Sequence, residues 1–166
     1  GTQVHAVDMD ATEARRVAPL VGAPPGSDVR VSGHPDGGYT HIWAKGGWGT
    51  AEVTLTTGST EMEFAYIRVK ETGTGLGARI FGSIVQSAWK SGYSTINLSA
   101  VGNAQDAERG SWSGYYTWPR LGADGLLGGR HAAMAQAHFG HKVERISDLM
   151  KTEEGRAWWK ANGSDI

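Results

Sequence analysis

Residues 71–77 read Glu-Thr-Gly-Thr-Gly-Leu-Gly, with Gly73, Gly75 and Gly77 on alternate positions. A glycine-rich turn between a strand and a helix leaves successive backbone N–H groups at the positive end of the helix dipole, a geometry that cradles phosphate groups. Glycine also permits the unusual dihedral angles and close ligand approach that such a cradle needs. Two common phosphate loops do not fit the spacing. A P-loop requires Lys and then Ser or Thr after its last glycine, and Ala78 and Arg79 stand there. A dinucleotide-binding turn requires two residues before its third glycine, where only Leu76 intervenes, and an acidic ribose ligand about 20 residues on, which is absent. A tight strand–helix connection that binds nothing is the plain alternative.

Other residues able to do chemistry are few. Glu61 and Glu63 alternate on the segment before the glycine turn, Tyr115 and Tyr116 lie in an aromatic stretch, and His131, His138 and His141 share one face of a helical segment. The histidines lack the HExxH spacing of a helical zinc site, so no metal is expected. There is no cysteine, which removes disulfides, thiolate metal sites and a cysteine nucleophile.

The run Thr72-Gly73-Thr74-Gly75-Leu76-Gly77-Ala78-Arg79-Ile80-Phe81 follows a strand over 63–69, and its helix feeds a strand over 95–100. The spacing and order resemble motif A, (Q/R)xxGxG opening a helix, of the GNAT acyltransferase superfamily. Leu121-Gly122-Ala123, after the aromatic stretch, is similar to that family's later Tyr…Leu-Gly-Phe segment. The resemblance spans roughly residues 28–123. It implies an N-acyltransferase that passes an acetyl group from acetyl-coenzyme A directly to an amine on a small molecule or protein. The coenzyme would lie along Thr72, Gly73, Thr74, Gly75, Leu76, Gly77 and Ala78 for its pyrophosphate, with Ile67 and Val69 beside the pantetheine arm and Asn103 as a polar contact. Glu63 would be the general base, and Tyr115 or Tyr116 the acid that reprotonates the leaving thiolate. The chain departs from the family pattern at Thr72, where Arg or Gln is usual, and at Trp118, which takes the catalytic tyrosine position in ungapped alignment. Lys70 or Arg79 is the available substitute for the missing cation. The same departures suit a non-catalytic module excised from a larger protein, with the aromatic stretch 112–120 as its contact surface for a protein partner.

The elements that must position these residues are legible in the periodicity. Asp8 or Asp10 caps a helix over 8–20, which Gly22 to Gly26 ends. Period-2 alternation from Asp28 to Val69 predicts three or four antiparallel strands, the last placing Met62, Phe64, Tyr66 and Arg68 on one face. Residues 76–90 carry Leu76, Ile80, Phe81, Ile84, Val85, Ala88 and Trp89 on one broad helical face. With the strand over 93–100 this makes a βαβ crossover. Residues 101–113 read as a loop, 126–142 as a helix, and 147–162 as a second helix that Trp158 and Trp159 pin down. The expected fold is α+β: a single domain over 1–166, with a mixed, mostly antiparallel sheet flanked by helices, a GNAT-like core over 28–123 and a helical part over 124–166.

Composition sets the outer bounds. The chain has 166 residues, sixteen Lys and Arg against seventeen Asp and Glu, and 25 glycines, about twice the ordinary share of glycine. A net charge of −1 gives no global footprint for nucleic acid, and no apolar run approaches a bilayer span. A cytoplasmic location without membrane or nucleic-acid partners is expected. Gly1, in place of an initiator Met, fits a domain taken from a longer chain or the scar of a removed tag.

Overall fold

The computed structural model describes residues 1–166, and the chain divides into two compact units, Gly1–Leu98 and Ser99–Ile166. The first is an α+β unit built on one six-stranded mixed sheet. Its strands are β1 (Gln3–Val7), β2 (Asp28–Gly33), β3 (Tyr39–Gly46), β4 (Gly49–Thr56), β5 (Glu61–Val69) and β6 (Thr95–Leu98). They lie side by side in chain order. β2 to β5 form an antiparallel meander, and each edge strand joins in parallel through a helical crossover. β1 precedes the first element that the periodicity predicts, the helix from Asp8.

Helix α1 (Ala11–Val17) starts at Asp10, whose carboxylate accepts the N–H groups of Thr12 and Glu13 at 2.9 and 3.0 Å. These are donors that the first helical turn cannot satisfy by itself. A 3-10 turn (Ala18–Val21) follows. Helix α2 (Leu76–Lys90) has the expected bounds but buries a narrower stripe than its pattern suggests. Ile80, Ile84 and Ala88 are buried, whereas Val85 is 43% and Trp89 79% exposed. The i, i+4, i+8 row is the part that meets a flat sheet, and residues one position further round turn to solvent. Phe81 contacts Phe64 of β5 edge to face, with ring centroids 5.8 Å apart. These helices cover one face of the sheet, where Val29, Val31, Ile42, Ala44, Ala51, Val53, Met62 and Phe64 are buried. Each large aliphatic buried this way contributes about 1.5–3 kcal/mol.

β5 departs from the expected alternation. Val53 pairs with Phe64, but Glu52 pairs with Tyr66, so Ala65 has no partner and forms a β-bulge. One inserted residue reverses which side chains face the core. Beyond it, Ile67 and Val69 share a face with the buried Ala51, while Tyr66 and Arg68 turn to the opposite face with Glu61 and Glu63. Unbroken alternation would carry the Arg68 charge into the apolar core, and the bulge avoids that cost.

The second unit is helical: α3 (Ala104–Glu108), α4 (Gly114–Arg120), α5 (Gly129–Phe139), α6 (Ile146–Met150) and α7 (Glu153–Asn162). Its core gathers Tyr115, Leu127, Ala135, Val143, Ile146, Leu149, Trp158 and Trp159. The helix expected over 147–162 is two helices. Thr152 breaks it by leaving the helical conformation and capping α7, its hydroxyl accepting Gly155 N–H at 3.0 Å. The loop expected over 101–113 contains α3. Asp124 ties the unit together, accepting Arg145 Nε at 2.6 Å and Ser147 N–H at 3.0 Å. Partial burial acts to raise this carboxyl, but those hydrogen bonds and the Arg145 charge outweigh it and hold the group below its usual range. No helix is long and apolar enough to cross a membrane.

Candidate functional site

The glycine turn sits where strand β5 hands over to α2. Gly73 and Gly75 both have positive φ, 79° and 72°, and Gly75 is the N-cap of α2. An L-residue rarely adopts this conformation, so the two glycines are what let the chain fold back tightly before the helix. Space beside them is open. A Cβ on Gly73 would meet nothing within 4 Å, and one on Gly75 would reach only Arg79 Nη1, at 4.0 Å.

The start of α2 is bare of the groups that usually satisfy a helix N-terminus. No side chain of the cap residue hydrogen-bonds back, and the first turn holds no acidic residue. Leu76 N–H has a long bond, 3.4 Å, to the Thr74 hydroxyl, and Arg79 N–H returns to Gly75 O. The amides of Gly77 and Ala78 therefore have no acceptor within the helix and point out of its positive end. Arg79 supplies a cation at the rim, its Nη1 3.4 Å from Thr74 O. Thr72 is exposed in the approach to the turn. An anion is the ligand this arrangement suits.

β5 brings a second feature to the same end of the unit. β6 pairs only with Glu61 to Phe64 of β5, so the β5 segment from the bulge at Ala65 through Ile67 to Val69 runs on past the ladder with β6. Ile67 and Val69 stand on that segment. Glu63 lies before the bulge, exposed, directly across from Thr54 on β4 and Asn97 on β6.

The face of the sheet away from α2 carries polar groups that the sequence reading did not connect. His41 bonds through Nε2 to Glu52 Oε1, and its Nδ1 is 3.3 Å from Thr54 Oγ1. His41 was legible as one of three aromatic-type residues alternating along a strand. Its partner lies eleven positions away, and only the β3–β4 register, set by the Gly47-Trp48 turn, brings the two together. Nearby, a cavity of about 410 Å³ is lined by Asp8, Arg30, Tyr39, His41 and Trp43 among others.

Asn103, Tyr115 and Tyr116 belong to the second unit. Asn103 caps α3, its Oδ1 accepting Gln105 and Asp106 N–H at 2.9 and 3.1 Å. Tyr115 is fully buried; its hydroxyl donates to Lys160 O at 2.6 Å and its carbonyl accepts Trp159 Nε1–H at 2.7 Å. Burial raises the Tyr115 phenol, with Tyr116 and Glu108 adding to the shift. Tyr116 is half-buried, with Arg120 and Lys160 over its ring at 5.4 and 5.5 Å. Only His131 and His138 lie on α5, which Gly140 ends before His141, and the three have separate partners: Asn162 O for His131, Glu154 for His138 and Phe139 O for His141. No group of three or more His, Asp or Glu side chains converges as metal ligands do.

No family model matches the chain, and no curated protein does. Among solved structures, the crystal structure of nourseothricin acetyltransferase is similar at 17% identity and a TM-score of 0.39, over 72% of this chain and 82% of that one.

Proposed function

We propose that the chain is an N-acyltransferase of GNAT type, using acetyl-coenzyme A as donor and an amine as acceptor. The carrying observation is the juxtaposition in one unit of an open, acid-free helix N-terminus behind two left-handed glycines with a strand that bulges and outruns its neighbour. On this reading the amides of Gly77 and Ala78 take the pyrophosphate oxygens, and Arg79 supplies the charge that Thr72 lacks. Leu76 and the Gly73 to Gly75 turn shape the cradle. The free edge of β5 from Ile67 to Val69 pairs with the amide-bearing arm of the donor, as an added strand would, and a backbone N–H there polarises the thioester carbonyl. Glu63 faces the side from which an acceptor amine enters. Holding both reactants in place contributes several kcal/mol to rate. The same reading places the protein in the cytoplasm.

Calorimetric titration with acetyl-coenzyme A tests this, with Gly75→Glu as the control. Micromolar binding lost in the variant is expected. Absence of heat and of thermal shift at millimolar ligand sinks the reading. It would shift attention to a non-catalytic module meeting a partner through Trp112, which is 47% exposed at the start of the aromatic stretch.

A further inference from the structure

The polar face of the sheet carries one continuous cross-strand row: Ser32, His41, Thr54, Glu63 and Asn97, on β2 to β6 in order. Directly opposed residues on one face have Cβ atoms about 4.5–5.5 Å apart. Thr54 therefore stands between His41, which it contacts at 3.3 Å, and Glu63. His41 in turn is held by Glu52.

The chemistry of the partners fixes the direction of each bond. An ionised carboxylate only accepts, so His41 Nε2 carries the hydrogen and donates to Glu52. In the neutral ring Nδ1 is then the acceptor, and Thr54 Oγ1–H donates to it. This is a hydroxyl–imidazole–carboxylate chain in which the carboxylate fixes the tautomer and steadies the imidazolium once a proton arrives. Glu52 is the more sheltered member, with its side chain 22% exposed against 41% for His41. Glu63, by contrast, is exposed and no hydrogen bond or ion pair orients its carboxylate.

We propose that Thr54 and His41 form the proton-accepting end of the transfer site, with Glu52 as their positioning residue, and that the acceptor is an amine that is cationic in solution. This rests on the acyl-transfer reading above. An alkylammonium must lose one proton before it can attack. Thr54 Oγ1 takes that proton as its own passes to Nδ1 of His41, and the imidazolium later releases it to solvent. The amine nitrogen then bonds to the thioester carbonyl carbon, the carbon–sulfur bond breaks with its electron pair on sulfur, and the second N–H proton ends on the thiolate. Glu63, beside Thr54, attracts the cation rather than acting as the base.

Two amines separate this relay from a structural role. Hydroxylamine is uncharged at pH 7.5 and ethylamine is an ammonium. With acetyl-coenzyme A as donor and thiol release as readout, Thr54→Val and His41→Gln are expected to lose roughly 100-fold or more with ethylamine. Their losses with hydroxylamine should be at least about tenfold smaller than with ethylamine, and Thr54→Ser should keep both rates. Equal losses with both amines, unchanged ethylamine rates, or parent turnover of hydroxylamine but not ethylamine overturn the relay. So does an acetyl group found on Thr54 by peptide mass, which would make it a nucleophile. If the parent releases no thiol above the enzyme-free rate with either amine, the acyl-transfer reading fails instead. The wiring is then read separately by long-range 1H–15N NMR of the imidazole. Nε2–H with an Nδ1 signal that moves in Thr54→Val is expected, and an Nδ1–H tautomer refutes the chain of bonds.

Discussion

Ala78→Glu isolates the electrostatics of the glycine turn better than any change to the glycines themselves. Gly75 has φ 72°, so a side chain there brings backbone strain together with charge. Ala78 lies exposed in the regular first turn of α2, where Glu fits without strain. That turn has no acid of its own, so a carboxylate facing the positive end of the dipole should add about 0.3–1 kcal/mol of stability. Its effect on a bound anion is the opposite. A carboxylate about 5 Å from a phosphate oxygen, at an effective dielectric near 20, costs about 3 kcal/mol, a little over 100-fold in affinity. Calorimetry should therefore show acetyl-coenzyme A binding weakened about 100-fold at 0.15 M salt, with part of the loss returning at 1 M, where charges are screened within about 3 Å. Thermal melting should stay level or rise, and Ala78→Gln should bind like the parent. Affinity within threefold of the parent in Ala78→Glu would show that the anion does not sit on α2. Affinity lost together with melting temperature would show that the fold, not the charge, was disturbed.

The remaining predictions concern what holds each unit in shape. Gly49 has φ 141° and a Cβ there would lie 1.9 Å from Arg68 O, so Gly49→Ala should cost about 3 kcal/mol or more. The urea midpoint should fall by more than about 1 M, and an unchanged midpoint refutes the clash. Asp124, held below its usual carboxyl range, stabilises the fold above its unfolded value, and that contribution disappears as pH falls through the lowered folded value. Asp124→Asn should cost about 1 kcal/mol or less at pH 7, since the pair with Arg145 is open to solvent, and chemical denaturation at pH 7 and pH 3 should show the difference shrinking in acid. Tyr115 is shifted the other way by burial. Its contribution is complete below the ordinary tyrosine value of about 10 and fades as pH rises through the raised folded value. Melting curves at pH 8 and pH 11 should show Tyr115→Phe about 1 kcal/mol less stable than the parent at the lower pH and closer to it at the higher. Parallel curves would contradict that.

Local rules carried the sequence reading a long way in the first unit. The bounds of α2 follow from its periodicity and flanking glycines, and the meander follows from alternating residues between turn clusters. The bulge at Ala65 was not legible, because Met62, Phe64, Tyr66 and Arg68 satisfy a period of two as written. What decides against it is the cost of placing Arg68 under α2, a tertiary fact. The Thr54–His41–Glu52 chain was missed for a related reason: each residue looks ordinary on its own strand, and only pair register gives it meaning. In the second unit, Thr152 reads equally well as a helix residue or a cap. Packing of Leu149 and Trp159 into one core favours the break that lets both turn inward.

The sequential order of the six strands has a consequence for how the first unit assembles. Each strand lies beside its predecessor, so every pairing closes a short loop or a single crossover and none waits on a distant segment. Loop-closure entropy stays small at each step, and low contact order favours rapid folding. The growing chain can thus dock each strand on the one before it as it leaves the ribosome, with the hairpins of the β2–β5 meander closing the shortest loops. The βαβ crossover through α2 joins last, so the glycine turn takes its final shape only after the sheet that backs it exists.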